Sequence, residues 1–265
     1  MPGLHTELVG SGRPRFAFLH GLFGRGRNWT SIAGELADQG YASVLFDLPN
    51  HGRSPWTDSF SYPAMAHAVG EELDLRLGSA ASIILVGHSM GGKVAMLLAL
   101  SRPELVDALA VIDIAPDTSA GTEDFASLAG ALLAVDLDAV KSRGEVDAAL
   151  SGPIPEPTTR QFLLQNLRAK HGWHWQPNLE LLRDNVAAVE DWPDPGPVSY
   201  SGPVRWIRGE RSPYVRAEHL PAMQALFPAV RQSTVPAAGH WVHADNPDAL
   251  VAELLDLAAE ADPAR

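Results

Sequence analysis

One serine, Ser89, stands between two glycines in the run IILVGHSMGGKV, residues 83–94. An apolar stretch leads into it and a helical pattern follows at once. A serine hydroxyl is a poor nucleophile at neutral pH until a base takes its proton and an acid orients that base. Gly-x-Ser-x-Gly at a strand-to-helix junction holds such a serine on a forced turn, where side chains two positions before and after would clash. The bland alternative is a serine helix N-cap with glycines for close packing. The strand before and the helix after favour the nucleophile.

In folds built around this turn the chain order is serine, acid, histidine. The base must then lie late, and AAGHWVHADNPDAL supplies His240, with His243 as competitor. His88 sits inside the turn, and His20 and His51 belong to loop motifs, so their claims are weaker. The acid is less obvious. Its usual place follows the penultimate strand, here IRGERSPYV, where counting on from Gly209 reaches Ser212, which cannot ionise. Glu210 is close by but out of step. One strand earlier, AVIDIAP ends an apolar run on Asp113, and a carboxylate there needs a partner because burying it unpaired is costly. Asp113 is the preferred acid, with Glu210 the alternative. Two backbone amides must meet the negative charge of the transition state. One is that of Met90, after the nucleophile; the other is that of Leu22, in FLHGLFGRGRNW, with Phe23 as runner-up. That glycine-rich loop matches neither a P-loop nor a dinucleotide fingerprint.

These residues need a sheet to hold them. Apolar runs at 15–19, 42–46, 82–86 and 108–112 are continuous rather than alternating, as in strands buried on both faces of a parallel sheet. Helical patterns fall between them, closed by Gly40, by Gly78 and near Pro103. Alternating strand and helix predict an α/β, mostly parallel, doubly wound sheet. The alternation stops after Asp113. Residues 116–201 read as helices with Pro- and Gly-rich joints and no convincing strand. Strand-like PVRWIRG and RQSTVP then resume, and PDALVAELLDLAAEA forms a final helix. The expected division is a core of residues 1–115 and 202–265 with a helical cap at 116–201.

The chain has 265 residues, a formal charge of −12 and no cysteine. That length is within reach of a single α/β domain. The acidic balance argues against nucleic acid or an anionic membrane surface as partner. Without cysteine there is no disulfide and no thiolate metal site. The absence fits a cytoplasmic setting, as does an N-terminus with no basic-then-apolar leader pattern. No apolar stretch is long enough to span a bilayer.

Taken in order, HGLFGRGRNW, DLPNHGRSPW, GHSMGGKVAM, VIDIAP, GERSPYV and GHWVHADNPDAL resemble the α/β-hydrolase superfamily, and within it the small bacterial esterases of the YbfF type. The resemblance runs from about residue 5 to 258. It implies an eight-strand-type core, shortened at its start, with the cap inserted after the sixth strand. It implies a triad of Ser89, Asp113 and His240, and hydrolysis of esters or thioesters with short to medium acyl groups, acyl-CoA included. Asp47 and Arg53 match a motif that ties a loop near the site rather than one that reacts.

No metal or organic cofactor is required by this chemistry; the pair His171 and His174 lacks a third ligand. Phe23, Phe162, Trp173, Trp175, Trp192 and Trp241 are candidates for the acyl pocket. Lys93 and Arg25 stand near loop ends that a phosphate of coenzyme A could approach, although a solvated surface charge is the simpler reading of each. The expected partner is a small-molecule ester or thioester, and the expected assembly a monomer or homodimer. Competing readings keep the triad but change the electrophile, as in C–C bond hydrolases and cofactor-free perhydrolases, or keep the scaffold as a slow-turnover ligand-binding protein.

Overall fold

The computed structural model describes residues 3–78, 82–118 and 124–262. The first half of the chain runs β1 (Thr6–Val9), β2 (Pro14–Leu19), α1 (Thr30–Asp38), β3 (Ala42–Phe46), α2 (Tyr62–Leu77), β4 (Ile83–His88), α3 (Met90–Ser101) and β5 (Val106–Ile112). An insert follows with α4 (Phe125–Leu133), α5 (Arg143–Leu150), α6 (Pro157–Leu164), β6 (Leu167–Arg168), β7 (His174–Trp175), α7 (Leu179–Asp184) and α8 (Val186–Glu190). The chain closes with β8 (Val204–Gly209), α9 (Leu220–Leu226), β9 (Val230–Val235), α10 (Val242–Asp245) and α11 (Pro247–Ala261).

Seven strands form one sheet in the order β1-β3-β2-β4-β5-β8-β9, parallel except for the β1–β3 pair. Successive side chains of a strand point to opposite faces. In β2, Phe16 and Phe18 therefore join Trp29, Ile32 and Leu36 on one side, with Leu250 and Leu254 of α11. Ala17 and Leu19 face the other way, toward Val69, Leu73, Val94 and Leu98 of α2 and α3. Both faces are covered, which is why these runs are continuously apolar.

Three expectations need correction. The edge strand β1 gives no sequence signal, because TELV is short, mixed in polarity and half-buried. The insert leaves after β5, which is the sixth strand of an eight-strand-type core that lacks its first, as expected. The insert also carries a two-residue hairpin, β6–β7. The long helical pattern at 123–144 breaks in two. Asp136 accepts the amides of Asp138 at 3.2 Å and Ala139 at 3.3 Å, and Ser142 caps α5 by accepting from Glu145. Such local side-chain bonds offer the backbone an alternative to the helix.

Lys93 is the fourth correction. It is 1% exposed, neither a surface charge nor a phosphate neighbour. Its Nζ donates to the carbonyls of Glu190 at 2.6 Å, Asp191 at 2.7 Å and Val189 at 3.4 Å, and the Tyr62 hydroxyl donates to Val189 at 2.5 Å. A lysine at a helix C-terminus satisfies carbonyls that have no partner in the helix. Burial pulls its pKa down to about 8. At its other side the insert is held by Asn166, whose Nδ2 donates to the Phe23 carbonyl at 2.6 Å, and by Asn28, whose Nδ2 donates to Gln165 Oε1 at 2.8 Å.

Candidate active site

Strand β4 enters the turn at Gly87 and α3 leaves it at Met90. Ser89 adopts φ 51°, ψ −120°, a conformation L-residues avoid. It is held by its amide donating to the Ile112 carbonyl at 3.0 Å and by its own carbonyl accepting from Gly92 at 2.8 Å. A Cβ on Gly87 would be driven into the Gly91 carbonyl, and one on Gly91 would sit 2.5 Å from the carbonyl oxygens of Leu19 and His20. The two glycines are therefore required by the turn itself.

At the end of β5, Asp113 is fully buried and has a φ of 52°. Its carboxylate has three donors: the Gly209 amide at 3.0 Å, the Ser212 hydroxyl, and His240 Nδ1 at 2.7 Å. This set satisfies a charge that would otherwise be expensive to bury. With Nδ1 donating to Asp113, neutral His240 presents a bare Nε2. Ser212, at the position where an acid is usual, thus donates to the Asp113 carboxylate from the neighbouring strand end. Glu210 points elsewhere: it accepts from the Ala237 amide at 2.8 Å and is exposed. Tyr214 stacks on the His240 ring at 4.0 Å between centroids, and His88 Nε2 donates to the His240 carbonyl at 2.8 Å. Neither contact was read from the sequence. Among the described residues the Ser89 hydroxyl has no hydrogen-bond partner; it faces the same cavity as His240. Such bonds often tighten only when substrate is bound.

The loop after β2 approaches closely: a Cβ on Gly21 would sit 2.8 Å from His88 Nδ1 and 3.3 Å from the Ser89 Cβ. His20 shapes it, accepting from the Leu48 amide at Nε2 (3.0 Å) and donating from Nδ1 to the Gly21 carbonyl (2.8 Å). Among the described residues, no protein acceptor takes the amide of Leu22 or of Met90. Asp47 ties the supporting loops by accepting the amides of Gly26 at 2.7 Å and Arg53 at 2.8 Å. It is the Arg53 backbone, rather than its guanidinium, that makes this tie.

Two more histidines, His88 and His243, pack beside His240, and His51 packs on His20. Burial, with His240 and His243 nearby, holds His88 well below the usual imidazole range. Burial and His240 hold His243 down to about 4, and burial holds His51 down to about 3. At neutral pH His88 and His243 are uncharged and do not oppose a proton on His240.

The cavity is lined by Leu22, Phe23, Phe125, Leu128, Phe162, Leu163 and Trp241, with Ser89 and His240 in its wall. Among the described residues no Lys, Arg, Asp or Glu lines it. Of the six pocket candidates, Phe23, Phe162 and Trp241 line this cavity and Trp173, Trp175 and Trp192 do not. Trp175 donates from Nε1 to the Leu132 carbonyl at 3.0 Å, and Trp173 and Trp192 pack against the buried cluster. The insert has no sheet to fold against, so its large aromatics build its own interior. His171 and His174 are exposed, and His174 Nδ1 bonds to the Gly172 carbonyl at 3.1 Å. Among the described residues no group of three ligating side chains could hold a metal.

A nucleophile turn at the carboxyl edge of a parallel sheet, with a histidine–aspartate pair beside it, defines a hydrolase architecture, and the chain belongs to the α/β-hydrolase-fold family, whose model matches residues 14–247. Among curated relatives, the sn-1-specific diacylglycerol lipase ABHD11 of Mus musculus is 39% identical over 240 residues, 88% of this chain and 77% of that one. Esterase YbfF of Escherichia coli is 33% identical over 234 residues, 88% of each chain. A solved marine microorganism esterase superposes with a TM-score of 0.90 at 32% identity, covering 96% of this chain and 99% of that one. The protein is a serine hydrolase that cleaves ester bonds. Among the described residues no helix is long and apolar enough to cross a membrane.

Proposed function

We propose that Ser89 is the nucleophile, His240 the general base and Asp113 the orienting acid, acting on esters or thioesters whose short to medium acyl chain fills the apolar cavity. The observation that carries this reading is the buried Asp113–His240 pair at 2.7 Å in the wall of the cavity that Ser89 faces. His240 Nε2 takes the hydroxyl proton as Ser89 Oγ bonds to the carbonyl carbon. The oxyanion is received by the Leu22 and Met90 amides, which have no competing acceptor among the described residues. The tetrahedral species collapses, the leaving group departs with the proton from His240, and water, deprotonated by the same nitrogen, releases the acid. Asp113 stabilises the imidazolium throughout.

Segment 116–201 serves as the cap of this site, because α4 and α6 supply Phe125, Leu128, Phe162 and Leu163 to the cavity. The uncharged lining suits an alkyl or aryl acyl group over a charged one, and a thioester such as acyl-CoA remains within the class. The test is intact mass after treatment with a fluorophosphonate, beside hydrolysis of a chain-length series of nitrophenyl esters. One adduct on the wild type, absent from Ser89→Ala, supports the assignment. An unlabelled wild type overturns it.

A further inference from the structure

Beside the cavity, four arginines gather in a protein whose formal charge is −12. Arg25 and Arg27 lie on the loop after β2, where their chain neighbours Gly24 and Asn28 line the cavity. Arg143 opens α5 and Arg168 ends β6. Their guanidinium groups are anchored on one strip of the insert. Arg143 donates to the carbonyls of Leu164 and, at 3.1 Å, Leu167. Arg168 donates to Gln165 at 2.6 Å and Leu167 at 2.9 Å. That strip is the one tied to the loop through Asn166–Phe23 and Asn28–Gln165.

The four cations feel one another. Burial, then Arg25 and Arg143, pulls Arg168 down to about 10, and burial, then Arg27, lowers Arg25. Two carboxylates are in reach. Glu7 is 3.6 Å from Arg27, and Asp47 is already taken by His5 at 3.0 Å and by two backbone amides. Arg25 Nε is buried with no acceptor among the described residues. An orphaned, buried guanidinium N–H among like charges costs folding free energy, which an anion with several acceptor oxygens would recover. The arginine fork matches phosphate geometry.

We propose that Arg25, Arg27, Arg143 and Arg168 form a binding site for a phosphate group on the leaving-group part of the substrate, held outside the apolar cavity while the acyl part fills it. The proposal rests on the reading of Ser89 as nucleophile at that cavity. The phosphate belongs either to a soluble phosphorylated alcohol or thiol or to a lipid head group.

The experiment compares two short-chain esters that differ only in a phosphate on the leaving alcohol, in wild type, Arg25→Gln and Arg27→Gln. Wild type is expected to favour the phosphorylated ester in kcat/KM. Each variant should lose about tenfold on that ester, the scale of one charged hydrogen bond, and stay within about twofold on the neutral one. Calorimetric titration with inorganic phosphate, matched to sodium chloride in ionic strength, reads binding without turnover. Heat in the wild type that is lost in Arg25→Gln supports the site even if neither ester is cleaved, a result that would sink the nucleophile reading alone. Cosedimentation with phosphatidylcholine vesicles that requires added phosphatidic acid, and weakens in Arg27→Gln, assigns the phosphate to a lipid. A preference for the phosphorylated ester without cosedimentation assigns it to a soluble molecule. Equal kinetics on the two esters with no phosphate heat overturns the proposal.

Discussion

The two walls of the cavity are built by different means. On the sheet side, position is set by backbone: Ser89 and Asp113 both sit at positive φ, between strands whose ends are fixed by the ladder. The Asp113 carboxylate itself is held by three donors. On the insert side, helices of five to nine residues are held by a few ties, chiefly Lys93 to three carbonyls and Asn166 to one. The proposed reading gives chemistry to the wall fixed by the sheet ladder and choice of substrate to the side chains of the insert.

The sharpest way to break this contrast is at the acid. Asp113→Asn keeps the shape but removes the charge that orients His240, and kcat should fall by about 10⁴. Glu210→Gln, an exposed neighbour, should stay within about twofold. Comparable losses from both substitutions, read in steady-state ester hydrolysis, would mean the acid had been misassigned.

Acid tests the sheet side as a whole. His51 and His243 titrate near 3 and 4 in the folded chain and near 6.5 when unfolded. The unfolded chain binds these protons first. Stability is therefore full above about pH 6.5 and is lost as pH falls toward the folded values, by about 3 kcal/mol for His243 alone. Urea midpoints measured across that interval should drop, and His243→Phe should flatten the drop.

Lys93→Met tests the hinge of the insert. It removes the lysine donor from the Glu190 and Asp191 carbonyls, Val189 keeping the Tyr62 hydroxyl, and should cost about 3 kcal/mol in denaturant unfolding, while fluorophosphonate labelling of Ser89 persists under native conditions. The smallest effect is expected at Phe162, which packs on Trp241 at 5.5 Å between centroids in the cavity wall. Phe162→Ala should shift the preferred acyl length upward, with changes of about tenfold between neighbouring substrates, the scale set by a methylene or two in an apolar pocket. An unchanged chain-length profile would place the acyl group elsewhere.

What the sequence makes legible follows the same division. The runs around Phe16, Val44, Leu85 and Ala110 are apolar on both faces, so their period and ends are plain. Ser89 is marked by glycines that no other residue could replace. Asp113 stands out because a carboxylate closing an apolar strand demands a donor. The contribution of Ser212 is half visible: the sequence shows that its position cannot ionise, but its bond to Asp113 depends on two strand ends meeting across the sheet. Tyr214 over His240 depends on the same meeting. The tryptophans of the insert were misread because large aromatics mark burial without saying whether a cavity or an interior is nearby. Lys93 was misread because a cation inside an apolar helix betrays itself only when the facing carbonyls are known.

The placement of Asp113 has one more consequence. On the proposed reading, nucleophile and acid both come from a single β4-α3-β5 unit, completed before the insert begins. In the arrangement where the acid follows the penultimate strand, an insert at this point would separate nucleophile from acid. Here it separates only the base. Segment 116–201 can thus be lengthened, shortened or exchanged for another without disturbing the spacing of Ser89 and Asp113, provided β8 and β9 return to register. If Ser89 and Asp113 have the proposed roles, the molecule is in this sense modular, a reactive unit on the sheet with its lid encoded as a separate stretch of chain.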